Sequence, residues 1–520
     1  MSISSSGGRR LIALLAIGVT LFAGACSSAL GGDGDPAGGP GSGQTLRLAL
    51  SRQFTGLNPH NGGSPDSDGS VKGTVYESLT YLDPTGQVQP RLAVSWTNPS
   101  PLEWRFTLRD GVRFSDGTPL SAREVAWNFT ELLDPATKSQ LGAQLKIYTA
   151  SVTAADANTV VFQLKSPAID LPSRLWNVYI TTEKFWQTGN LNTEAIGTGP
   201  YLLKSIDLEN GATLTANPEY WGSKPAFGDV EYKVLPSEAA RVSAVQAGEV
   251  DIALNLDPLS LDQFQSNAKY RATLSDSSWV QVISINENKG GPLADVRVRR
   301  ALNYAVDKKS IIDGLLKGAV KPSQGQVIAP PFFEPNPAVS AFEYNPERAR
   351  QLLAEAGYAD GVTVQLDIPA GTYAAGAAIG QAVAQQAAAV GIKITITETP
   401  FPAWLSRQNQ PSEQAADLVY IGWGGQYRNA YTVFDPFTSK SRYKQSNITD
   451  PVFDDLVNRL QSATDAETAR TLAAQATQRY YDEAHTVFLW PGTFSSLVAD
   501  GLTWSPRTTR YLYAQEVART

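Results

Sequence analysis

A chain of 520 residues is longer than one ordinary domain, and 42% hydrophobic residues with 11 tryptophans and 20 tyrosines can supply at least two cores and aromatic-lined pockets. A net charge of -7 without any basic cluster argues against nucleic acid as a partner. Two histidines, His60 and His485, and a single cysteine, Cys26, leave almost no material for Ser-His-Asp, Cys-His or histidine-rich metal sites, so no catalytic residue, metal ligand or cofactor is assigned. Phosphate-loop, dinucleotide and nucleophile-elbow signatures do not occur.

The chain opens on an address. Arg9 and Arg10 precede an apolar run from Leu11 to Ala23 that is too short for a comfortable membrane span. Ala23-Gly24-Ala25-Cys26 resembles the bacterial lipobox, with alanine where leucine is usual at position 23. The resemblance implies a lipoprotein signal peptide over 1–25 and diacylation of Cys26. Two acyl chains hold a protein on a bilayer where one binds only marginally, which points to an anchor on the extracytoplasmic face of the cell membrane. Residues 26–44 are rich in Gly, Ser, Asp and Pro and predict a flexible tether. The globular part starts near Thr45.

Residues 45–50 alternate apolar and polar side chains, as a strand buried on one face does. His60 follows in a turn that either faces a cleft or lies in solvent. Residues 104–109 alternate likewise, and Asp110-Gly111 predicts a hairpin with a return strand over 112–114. Ser121 and Glu124 form a capping box ahead of a helix over 122–133. Strands are predicted over 159–164 and 230–235, and helices over 238–247, 296–306, 308–316 and, behind Asn345-Pro346, up to Gly357. A strand over 362–367, an alanine-rich helix over 374–390 and a strand over 392–397 read as a parallel βαβ unit. Helices over 451–462 and 467–484 precede a strand over 487–490, and His485 beside that strand reads as a packed structural residue.

Several of these segments carry a resemblance. Tyr76-Glu77-Ser78-Leu79, Pro90-Arg91-Leu92-Ala93, Ser95-Trp96 and the run from Trp104 to Leu120 are similar to the family 5 extracellular solute-binding proteins, which include oligopeptide, dipeptide, nickel and some oligosaccharide receptors of ABC importers. Gly197-Thr198-Gly199-Pro200-Tyr201, Asn217 to Gly222, Val296 to Asp307 and Ala349 to Gly357 follow in the family's order. The resemblance implies a periplasmic-binding-protein-like type II α/β fold: two lobes with a hinge and an extra subdomain inserted in lobe I. Carried onto this chain, lobe I comprises 45–73, 195–282 and 487–520, the inserted subdomain 74–194, and lobe II 283–486. It further implies a monomer that captures a small ligand and hands it to ABC transporter permease subunits.

In the family's peptide receptors, Gly-Trp in lobe II is followed by an aspartate that holds the peptide's ammonium group. Here the stretch reads Gly422-Trp423-Gly424-Gly425-Gln426-Tyr427-Arg428, with Gln426 in place of the aspartate. An ammonium enclosed without its carboxylate loses about 2 to 5 kcal/mol, which turns the expectation away from free-amine peptides toward neutral or acidic ligands. The alternative is that another acid, Asp435 or Glu77, takes over the amine. Trp423 to Arg428 are the expected ligand contacts, because open α/β sheets bind at strand C-termini, with Trp404, Tyr76, Trp279 and Trp176 as further aromatic candidates. Two readings from other classes stay open: an extracytoplasmic peptide-sensing receptor, and a carboxylate-dependent hydrolase on the same scaffold.

Overall fold

The computed structural model describes residues 45–520 apart from 64–65, 329–335, 371, 374, 409, 425–429 and 442–447. The signal peptide, the tether and Cys26 lie outside the described residues, and so do Gly425, Gln426, Tyr427 and Arg428.

The organising element is a ten-stranded sheet in the order Ile392–Pro400, Val362–Ala370, Leu418–Gly424, Tyr270–Ile285, Thr486–Ala499, Ile252–Leu254, Thr45–Leu50, Asp229–Val234, Gly211–Ala216 and Tyr201–Asp207. Two long antiparallel strands, Tyr270–Ile285 and Thr486–Ala499, cross from one half of this sheet to the other. Side-chain alternation along them explains why both faces are covered. In one half, Ile283, Ile285, Val487 and Leu489 enter one core, while Val280, Val282 and Phe488 enter the core on the opposite face. In the other half, Leu46, Leu48 and Leu50 face one way and Ala49 the other. The predicted βαβ unit is present: Val362–Ala370 and Ile392–Pro400 run parallel, joined by the helix Gly376–Ala388.

A separate four-stranded antiparallel sheet, Ala93–Ser100, Glu103–Leu108, Thr159–Leu164 and Thr149–Ala154, encloses its own core with the helix Ala122–Leu133. Two local expectations are corrected here. Residues 112–114 do not return beside Glu103–Leu108, whose neighbours are Ala93–Ser100 and Thr159–Leu164. They close instead on their own loop, Phe114 N–H donating to Thr118 and Leu120 N–H to Val112. Only half of the capping box forms: Ser121 Oγ accepts the Glu124 N–H at 3.3 Å, but the Glu124 carboxylate turns away to accept the Glu183 N–H at 3.2 Å.

Glu77, 2% exposed, ties four of the recognised segments together. Its carboxylate receives the Thr198 hydroxyl at 2.8 Å, the Tyr220 hydroxyl at 3.0 Å, the Trp221 indole N–H at 2.7 Å and the Arg91 guanidinium at 2.6 Å. Four donors fill a carboxylate's accepting capacity, so Glu77 has no room for a ligand's ammonium group. The glycines of Gly197-Thr198-Gly199 are explained by the same junction, since a Cβ there would lie 2.2 Å from the Val75 carbonyl oxygen at Gly197 and 2.6 Å from that of Thr74 at Gly199.

Candidate functional site

Where the crossing strands pass between the two halves of the sheet, their pairing slips between Asp276 and Val280. Such an irregularity re-aims side chains, here Trp279. Its indole ring lies between two glycines: a Cβ at Gly422 would come within 2.3 Å of the ring and one at Gly492 within 2.6 Å. Tyr373 stands beside it, ring centroids 5.9 Å apart, and its hydroxyl accepts the Gly422 N–H at 2.8 Å. Tyr420 meets Tyr373 edge-on at 5.4 Å.

These aromatics wall a cavity of about 470 Å³, lined from both halves of the molecule. One half supplies Ser51, Arg52, Asn255 and Arg510; the other supplies Thr372, Tyr373, Ile379 and Tyr420; Trp279, Gln281, Trp490 and Phe494 come from the crossing strands. A second hollow of about 510 Å³ is built by the helices Pro451–Gln461 and Ala466–Asp482 alone and has no aromatic wall. The size and aromatic wall of the first suit a small-molecule site, and its polar and charged side chains can fix a ligand's orientation.

The polar end of this cavity is organised around Asp66. Its Oδ2 accepts the Ser51 hydroxyl at 2.6 Å and the Asn255 side-chain amide at 2.8 Å, with Arg52 Nε 3.9 Å away. Burial would push this carboxyl up, but the Ser51 hydroxyl and the charges of Arg52 and Arg510 outweigh it and hold it below its ordinary value. Arg510 is lowered by burial, with Asp66 opposing. Burial raises the Tyr373 hydroxyl, leaving it a neutral hydrogen-bonding group at physiological pH.

Of the residues expected from sequence, Trp279 lines the cavity and Gly424 pairs with it across the strands. Trp423 projects to the other face of the sheet, where its Nε1 donates to the Val433 carbonyl at 3.2 Å and its ring meets Phe437 edge-on. Trp404 is buried in that same core, stacked on Phe401. Tyr76 is buried against Tyr179, and Trp176 packs on Tyr511 at 5.2 Å; neither lines the cavity. Asp435 accepts the Tyr431 hydroxyl at 2.9 Å. His60 is fully enclosed, its Nε2 3.2 Å from Asn128 and its ring on Trp186, which removes both the solvent and the cleft reading. Sequence reasoning missed Arg52, Arg510, Gln281 and Tyr373. Tyr373 alone had a local signal, as part of the glycine-bearing loop before an alanine-rich helix. Among the described residues no group of three or more His, Cys, Asp or Glu side chains could hold a metal ion.

Two α/β lobes joined by crossing strands around a cavity lined from both define the architecture of a type II periplasmic binding protein. NikA from Brucella suis, solved in complex with Fe(III)-EDTA, shares this fold with a TM-score of 0.81 over 92% of this chain and all of that one, at 24% identity. Residues 87–445 match the profile of the bacterial extracellular solute-binding proteins, family 5 middle region, and the chain belongs to that family. The Escherichia coli nickel-binding periplasmic protein is 33% identical over 300 residues, 55% of this chain and 56% of that protein. The Salmonella typhimurium periplasmic oligopeptide-binding protein OppA is 25% identical over 495 residues, 87% of this chain and 90% of that protein. The chain therefore spans little more than half the length of the Escherichia coli nickel-binding protein.

Proposed function

We propose that this protein is an extracytoplasmic solute-binding lipoprotein that encloses one small molecule between its lobes and delivers it, as a monomer and without chemical change, to the permease subunits of an ABC importer. The observation that carries this reading is the cavity of about 470 Å³ lined from both lobes and floored by the strands that join them. Lobe closure around a ligand follows from such a hinge, and the ligand shifts the equilibrium only by its preference for the closed form. The reading takes lobe I as 45–73, 195–282 and 487–520, the inserted subdomain as 74–194 and lobe II as 283–486. The anchor is Cys26, acylated behind a signal peptide over 1–25 and followed by the tether 26–44. Ligand contacts are Trp279 with the cavity residues above, and Gln426, Tyr427 and Arg428, which lie outside the described residues.

Native mass spectrometry of the full chain purified in mild detergent, followed by thermal-shift screening with peptides, oligosaccharides and organic acids, tests the capture. A co-purifying small molecule or a melting shift with one class is expected. No bound species and no shift across all three classes would refute it. Cys26→Ser is expected to move the protein from the membrane fraction to the soluble one; retention on the membrane would refute the anchor.

A further inference from the structure

The polar end of the cavity holds a guanidinium without a hydrogen-bonding partner of its own among the described residues. Arg510 makes no side-chain hydrogen bond or ion pair among the described residues. The groups acting on its charge are Asp66, Arg52, Tyr511 and Tyr373. Only one of these is an acid, and Asp66 Oδ2 already accepts from Ser51 and Asn255 while sharing its charge with Arg52. Glu238 and Asp257 also line the cavity, but Glu238 Oε1 is taken by the Asp257 N–H and the Ser260 hydroxyl, and Asp257 has a partner of its own. Two further polar atoms of the lining lack partners: Gln281 Oε1, on a side chain 5% exposed, and Trp279 Nε1. A buried acceptor left unmade destabilises the fold unless something supplies its donor. Trp490, Tyr420, Ile379 and Leu316 supply an apolar part of the wall.

From this distribution we infer that the ligand is a small organic acid, its carboxylate set against Arg510 and Arg52, an apolar body against Trp490 and Tyr420, and a hydroxyl or N–H donating to Gln281. The inference rests on the solute-binding reading. A planar guanidinium with free N–H groups is the side chain best suited to a two-point hold on a carboxylate. The volume suits one such molecule, within the roughly 300 to 1,000 Å³ of small-ligand pockets.

The test is calorimetric titration of the full chain in mild detergent with 3-phenyllactate, 4-hydroxyphenyllactate and citrate, each beside its neutral amide, and with maltotriose and tri-alanine amide as non-acidic probes. At least one acid is expected to bind tenfold or more tightly than its amide. Arg510→Gln should cut that preference below threefold while the amide's affinity holds, and Arg510→Lys should restore part of it. Should Arg510→Gln fail to fold, Arg52→Gln, at a more exposed side chain, reports the same loss. Equal binding of acid and amide, binding of the neutral probes alone, or a preference that survives both glutamine variants would overturn the inference and leave solute capture standing. Absence of binding by every probe, with no co-purifying molecule, would overturn both.

Discussion

His60 and His485 are both buried, yet their surroundings drive them in opposite directions. Burial lowers His60 to about 4, the Asn128 amide opposing and Lys72 adding to it. His485 is also disfavoured as a cation by burial, but its bonds to Asp450 at 3.1 Å and Glu287 at 2.6 Å outweigh that and the nearby Arg299, so it is raised. Unfolded, each titrates near 6.5. His60 therefore binds its proton more readily in the unfolded chain, and removes about 3 kcal/mol of stability as pH falls from 6.5 to about 4. His485 binds more readily in the folded chain; its contribution is complete below 6.5 and is lost as pH rises through its raised value. Urea midpoints at pH 5, 6.5 and 8 separate the two. His60→Asn should gain stability relative to the parent between pH 6.5 and 5, and the deficit of His485→Gln should narrow as pH rises above 6.5. Parallel curves for parent and variants would refute both assignments.

At the scale of elements, the crossing strands are where the fold and the site meet. Gly422 and Gly492 leave the room that the Trp279 ring fills, so Gly422→Ala forces that ring to move. Overpacking of this kind costs about 1–3 kcal/mol. The variant is expected to melt lower and to shift tryptophan fluorescence, with ligand affinity reduced at least fivefold; an unchanged spectrum and affinity would show that the ring is not held there. This same region was the least legible in sequence. Helices with side-chain caps, such as those behind Ser237, Asp295 and Asn345, announce themselves locally, because the cap and the first turn are neighbours along the chain. The strand Tyr270–Ile285 does not, since Ser275 to Ser277 reads as a turn and is strand only because Thr486–Ala499 pairs beside it. Pro491-Gly492 reads as a stop for the same reason, yet it falls at the slipped register where a sheet accepts proline. Arg52 and Arg510 come from opposite ends of the chain, and no spacing rule brings them to one cavity. Sequence places Trp423 in the loop beyond an apolar strand, whereas the strand runs on through Gly424 and turns Trp423 to the face opposite the cavity, a register that only the neighbouring strand sets.

For the whole molecule, the closure proposed above would be held, beside the ligand, by contacts between lobe II and the four-stranded subdomain. Gln461 donates to the Tyr148 hydroxyl at 3.2 Å, joining a lobe II helix to the four-stranded subdomain, and Tyr431 packs against that subdomain's core. One such bond is worth about 0.5–1.5 kcal/mol net, or roughly twofold to tenfold in an equilibrium. Gln461→Ala should therefore raise the ligand's dissociation rate by roughly that factor with the association rate little changed, as read by stopped-flow fluorescence; an unaltered dissociation rate would show that this contact does not take part in closure. The Glu77 junction stands apart from the cavity. Its five side chains tie residues 77 and 91 to residues 198 and 220–221 and line no part of the cavity. The stretches that make the chain recognisable are thus masonry, and the stretches that choose the cargo are furnishing. On the organic-acid reading, a change of diet can be written into Arg510 or Gln281 while Glu77 and its four donors keep the building, and its pedigree, intact.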